Sequence, residues 1–236
     1  MKAAALIFLW LAACSVPGVS LEGKQCPCAD GYVCDMPTNR CFPSNGDGGI
    51  IDSLATTSCL GGSTTEIYRY AGTFDWIDPG GTWTGGPEIK QTSSNVNNSY
   101  TFKTNAELST AKDYRVIASM RPIREGNAPA YGIVLRAQLS TQDKSRYACS
   151  FLPKTKQLVL ESNTTTIGMV DIPDASTTMP LTMEARVVGT TLACCLREYP
   201  AAKLTGIMNA DVAAGYPGLQ TNRMEAAFGS FAVTQP

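Results

Sequence analysis

An all-β protein, a two-sheet antiparallel sandwich with a small disulfide-stapled module ahead of it, is the fold class this sequence predicts. Three observations predict it. From Glu66 onward, apolar residues recur at every second position in short runs bounded by Gly, Pro, Asn or Asp, and no stretch repeats with the period of a helix. Two of these runs are separated by Gly189-Thr190 alone, a pair suited to a tight hairpin turn. The 236 residues, 44% of them apolar, leave room for one packed core and a small module.

The chain opens with Lys2 and an apolar run from Ala3 to Leu11, too short for a permanent membrane helix but of the length of a signal-peptide core. Leu11-Ala12-Ala13-Cys14 closes the run and resembles the lipobox of bacterial lipoproteins. That resemblance implies cleavage before Cys14, lipid on its thiol, and an anchored place in the bacterial cell envelope, at the outer membrane. Cleavage near Gly18 is the alternative and would leave a secreted protein. Cysteine parity favours lipidation: the chain has 9 cysteines, and removing Cys14 leaves an even set able to pair fully in an oxidising compartment.

Residues 1–13 therefore read as the signal and 14–24 as a tether. Residues 25–43 hold Cys26, Cys28, Cys34 and Cys41 in a stretch too short to bury a core, so disulfides must staple it. Zinc is disfavoured because the spacing is C-x-C rather than C-x2-C. Cys26 and Cys28 are too close to bond to each other, and an interlaced pairing, Cys26 to Cys34 and Cys28 to Cys41, is preferred. The segment resembles the short EGF-like inserts of bacterial surface proteins, which implies a spacer or docking element. Residues 44–62, with Asn45-Gly46-Asp47-Gly48-Gly49, read as flexible linker, and 63–236 as the sandwich.

Within the sandwich, Tyr114, Val116, Ala118 and Met120 alternate with Arg115, Ile117 and Ser119, and Tyr131, Ile133, Leu135 and Ala137 with Gly132, Val134, Arg136 and Gln138. Further strands are expected at 146–151, 157–162 and 226–234. The turn at Gly189-Thr190, glycine first as a type II′ turn requires, sets Val188 opposite Thr191, Ala185 opposite Cys194 and Glu184 opposite Cys195. Leu181, Met183, Ala185, Val187, Leu192, Cys194 and Leu196 then face inward, and Thr182, Glu184, Arg186, Cys195 and Arg197 outward. Two disulfides could use Cys59, Cys149 and the vicinal Cys194 and Cys195, which cannot easily bond to each other within a strand.

The serial order of these strands, with Gly218-Leu219-Gln220-Thr221-Asn222 and the Phe228-x-x-Phe231-x-Val233 strand as its most specific part, resembles the concanavalin A-like lectin/glucanase superfamily, in particular its laminin-G-like branch. The resemblance implies a jelly roll whose concave face binds or cleaves glycans in relatives. It also implies a calcium site, with Asp75 as the early carboxylate, although Gly229 stands where relatives often carry Asp.

Composition narrows the function. With 19 Lys+Arg against 20 Asp+Glu there is no electrostatic footprint for nucleic acid. Histidine is absent, which removes His-based triads and His-ligated zinc. The outward sides carry Arg136, Gln138, Arg146, Ser150, Glu161, Glu184, Arg186 and Arg197; Arg136, Arg146, Glu161, Glu184, Arg186 and Arg197 are the candidate ligand-binding residues, and ion pairs such as Glu184 with Arg186 or Arg197 on a solvated sheet are their structural alternative. None is aromatic, and the rings that could stack on sugars, Trp76, Trp83, Tyr199 and Tyr216, lie in loops or at strand ends.

The glucanase pattern Glu-x-Asp-x-x-Glu is missing: from Glu184, Arg186 and Gly189 stand in its remaining places. Non-catalytic binding of a glycan or envelope component is therefore expected. Two alternatives are hydrolysis by Glu161 with Glu184 and a structural or adhesive role marked by an apolar patch.

Overall fold

The computed structural model describes residues 32–35, 40–45, 49–50, 58–61, 65–104, 108, 112–138, 146–162, 165–208 and 214–236. The signal, Cys14, Cys26 and Cys28 lie outside them. Three strands, β1 (Tyr32–Asp35), β2 (Arg40–Asn45) and β3 (Gly49–Ile50), form a small antiparallel sheet in which Cys34 stands opposite Cys41.

The remaining strands build the sandwich. They are β4 (Glu66–Arg69), β5 (Ile77–Gly80), β6 (Trp83–Thr84), β7 (Ile89–Gln91), β8 (Ser99–Phe102), β9 (Tyr114–Ala137), β10 (Tyr147–Leu152), β11 (Gln157–Ser162), β12 (Thr165–Asp171), β13 (Leu181–Val188), β14 (Thr191–Leu196), β15 (Tyr199–Ile207) and β16 (Tyr216–Thr234). All pairings are antiparallel.

Two long strands organise the layers. β9 runs for 24 residues and β16 for 19, and they pair along nearly their whole lengths. The first half of β9 pairs with β13, which continues to β14 and β15, while the last part of β16 pairs with β4; this is sheet one. The second half of β9 pairs with β10, which continues to β11 and β12, while the first part of β16 pairs with β8 and through it β5; this is sheet two.

The sequence reading, which takes 113–120 and 130–138 as separate strands, is corrected here: one strand serves both sheets. Its middle, Ile123–Asn127, is largely exposed, so inward-outward alternation fades there although pairing continues. Side-chain parity also switches on the way. β9 turns even positions into the inter-sheet core up to Met120 and odd positions from Tyr131 to Leu135, and the switch spans Ala128, whose φ is 51°. β16 has its own irregularities at Asn222/Met224 and Phe228/Ser230, and Arg223 there has φ 47°. An inserted or left-handed residue bends a strand and re-aims the side chains beyond it, which a strand passing between layers requires.

The two inner faces meet in one core containing Val116, Ala118, Ile133, Leu135, Phe151, Leu160, Met183, Ala185, Leu192, Phe228 and Phe231. The hairpin register is as the turn chemistry predicts, Val188 opposite Thr191, Ala185 opposite Cys194 and Glu184 opposite Cys195, with Gly189 at φ 55°. Residues one apart in a strand face opposite ways, and the vicinal cysteines use both sides. Cys194 crosses the core to Cys149 on β10, and Cys195 points outward to Cys59.

Candidate functional site

The outward face of sheet one is covered, which corrects the expectation of a solvated charged surface. Ser58–Gly61, assigned to the linker by composition, lies against it and is joined there by the Cys59–Cys195 disulfide. Glu184 is fully buried beneath this strap: it accepts from Ser58 Oγ at 2.6 Å, from the Leu60 amide at 3.2 Å and from Arg197 Nε at 2.6 Å. Arg115 donates to Ser58 Oγ and to the Gly61 carbonyl, and Arg186 to the Leu60 carbonyl. The predicted Glu184–Arg197 pair exists, but as part of a buried network that ties sheet one to Ser58–Gly61.

Arg136 also leaves the candidate set. A left-handed φ of 49° turns it from the alternation of β9, and its buried guanidinium donates to the Lys112 carbonyl and approaches Asp113 at 3.4 Å. It brackets the two ends of a long strand. Trp76 and Trp83 are core residues packed on Phe231 and Phe228, and the Tyr199 hydroxyl donates to the Asp174 carbonyl. Asp75 accepts from Lys103 Nζ, a bond that pulls its carboxyl below the usual range.

The outward face of sheet two is different. Cross-strand registers align Tyr100, Gln220, Gly132, Ser150, Val159 and Met169 in one row over β8, β16, β9, β10, β11 and β12. The next row is Phe102, Gly218, Val134, Ala148, Glu161 and Thr166. Above these rows opens a groove of about 360 Å³, lined by Gln220, Ser150, Glu161 and Asn222 among polar groups and by Val159 and Met169 among apolar ones. Its size suits a small ligand.

Within the groove, Gln220 Nε2 donates to Ser150 Oγ and, at 3.5 Å, to Glu161 Oε1. Burial pushes the Glu161 carboxyl above its ordinary range, with the Gln220 bond and the nearby Arg146 charge pulling back. Arg146 lies 3.9 Å from the centre of the Tyr100 ring, a cation–π contact, and Tyr100 stacks on Phe102. Asn222 ties the end of the groove together: its Oδ1 accepts from the Asn98 amide and its Nδ2 donates to the Ala128 carbonyl.

Of the six candidate residues, then, Arg146 and Glu161 share this face, while Glu184, Arg186 and Arg197 lie under the strap beyond the core. The carboxylate pair required by the hydrolytic alternative is not brought together. Parity gives inward or outward for each residue, yet both sheets have an outward side, which is why the sequence merged them. Tyr100 was missed as well; the alternation Ser99-Tyr100-Thr101-Phe102 was its signal.

Solved structures share this architecture. A carbohydrate-binding module, CBM66, from Bacillus subtilis matches with a TM-score of 0.54 at 14% identity, over 65% of this chain and 91% of that one. The fold is a concanavalin A-like jelly roll. A Bacillus subtilis protein of unknown function with a galectin-like fold matches the jelly roll with a TM-score of 0.53 at 12% identity, covering 72% of this chain and 96% of its own. No family model and no curated protein matches the chain.

Proposed function

We propose that this protein is a non-catalytic glycan-binding module, exported and held at the bacterial envelope by a lipid on Cys14. The observation that carries the reading is the groove on sheet two, where an amide, a hydroxyl and a carboxylate converge beside apolar side chains. Sugars present hydroxyls and apolar C–H faces together, and such a mixed lining matches both. The likeness to CBM66, a carbohydrate-binding module, supports the same reading at the level of fold.

Acid–base cleavage of a glycosidic bond ordinarily uses two carboxyl groups across that bond. Among the described residues, Glu161 is the one carboxylate lining the groove, which favours binding over hydrolysis. The test is a glycan-array screen of the mature protein, with mass spectrometry of bound glycans after prolonged incubation. Capture of an intact glycan is expected; shortened products would replace the reading with a hydrolase, and silence on a broad array would end it.

A further inference from the structure

Resting on the glycan reading, we infer that Asn222 is a positioning residue for the ligand: it holds three left-handed backbones together at one end of the groove as a preformed rim, so that a sugar meets a wall already in its bound shape.

Among the described residues, five residues other than glycine have a left-handed φ, and three of them, Asn98 at 49°, Ala128 at 51° and Arg223 at 47°, come together here. Asparagine takes this conformation readily, whereas for alanine and arginine it costs energy and persists only where the surroundings impose it. Strain of this kind gathers where a site must keep one shape. The bends at Ala128 and Arg223 also carry β9 and β16 between the sheets, but Asn98 stands just before β8, on neither long strand. Strand crossing therefore does not account for all three.

They converge on Asn222. Its amide orientation is forced from both sides: the Asn98 N–H, with its nitrogen 3.2 Å away, only donates, so Oδ1 faces it, and the Ala128 carbonyl, 3.0 Å away, only accepts, so Nδ2 faces that. Arg223, the next residue in the chain, is fixed by its own amide on the Val96 carbonyl at 2.9 Å and by its Nε on Asn97 Oδ1. Close backbone packing adds to the restraint, for a Cβ on Gly126 would stand 2.5 Å from the Arg223 carbonyl oxygen and 2.9 Å from that of Ser94.

Asn98, Ala128, Pro129, Ala130 and Asn222 all line the groove. Asn222 follows Gln220 by two residues on β16, so both stand on the same side of the strand, and the rim continues the surface made by Gln220, Ser150 and Glu161. A rim that is rigid before binding spares the ordering cost that a loose loop would incur.

The experiment is calorimetric titration of the mature protein with tetrasaccharides built of hexose, hexosamine or uronic acid, the variants being titrated with those that the wild type binds. Asn222→Ala should weaken binding by about tenfold or more. Because that change also removes two hydrogen bonds from the fold, Ala128→Gly is the second variant: it keeps both bonds and relieves the left-handed strain. It should leave the thermal midpoint unchanged or higher and still weaken binding by about threefold or more, with the loss in the entropy of binding, since the sugar must now order the rim. Unchanged affinity in either variant, or a loss in Ala128→Gly that is enthalpic rather than entropic, would overturn the positioning role and leave glycan binding standing. A wild type that binds none of the three sugars and stays silent on the array would overturn the glycan reading, and this inference with it.

Discussion

Cys149 on β10 and Cys194 on β14 are bonded across the interior of the sandwich, joining sheet two to sheet one at the centre of the core. The bond closes a loop with a sequence separation of 45. Restricting that loop in the unfolded chain stabilises the fold by about 4 kcal/mol on the chain-entropy model. Replacing both cysteines with alanine should lower stability by about 2–5 kcal/mol in a urea titration followed by tryptophan fluorescence. An unchanged midpoint would mean that packing alone holds the sheets together.

Glu184 makes a second prediction. It is fully buried and held by Arg197, Ser58 and the Leu60 amide. Breaking a buried ion pair by removing one partner leaves the other charge uncompensated and costs about 3–5 kcal/mol. Glu184→Ala should therefore destabilise the protein by that amount and expose residues 58–61 to limited proteolysis, while a variant that retains wild-type stability would deny the network its structural role.

Gly132 separates Ser150 from Gln220 in the groove row. A Cβ there would stand 1.9 Å from the Cys149 carbonyl oxygen, and that oxygen is backbone and cannot rotate aside. Gly132→Ala should force β9 and β10 apart, lose at least about 1–3 kcal/mol, and damage ligand binding along with stability. Thermal unfolding and glycan titration on the same preparation would read both effects.

The Glu161 carboxyl, raised by burial, gives a pH prediction with a definite sign. A group whose folded pKa lies above its unfolded value favours the folded state when protonated, so this contribution is present below the unfolded pKa and is lost as pH rises through the folded one. Glu161→Gln should thus leave stability at neutral pH unchanged or higher. Ligand binding runs the other way: it needs the ionised carboxylate and should weaken as pH falls through the raised value. Binding that strengthens on acidification would contradict this role.

Membrane attachment is checked separately. Cys14→Ser should move the protein from the membrane fraction to the soluble fraction of the producing cells, because the thiol that takes the lipid is gone. Continued membrane association would remove the anchor from the account.

Much of the sandwich was legible in the sequence because the signals are local. The Gly189-Thr190 turn fixed a register, and that register put Cys194 inward and Cys195 outward, each with its own partner. What was not legible is nonlocal. Alternation does not say to which sheet an outward residue belongs, so Glu161 and Glu184 fall into one outward-facing set by parity alone. Nor does it say that Ser58–Gly61, more than 100 residues away in sequence, will cover Glu184. The place of Tyr100 beside Arg146 depends on β16 bringing β8 to sheet two.

The central claim is that a glycan is held on the outward face of sheet two, and hydrogen–deuterium exchange of the mature protein with and without a captured glycan tests it most directly. Protection should concentrate in β10, β11 and the first part of β16. Protection confined to β13, β14 and residues 58–61 would place the ligand on the opposite face and contradict the account.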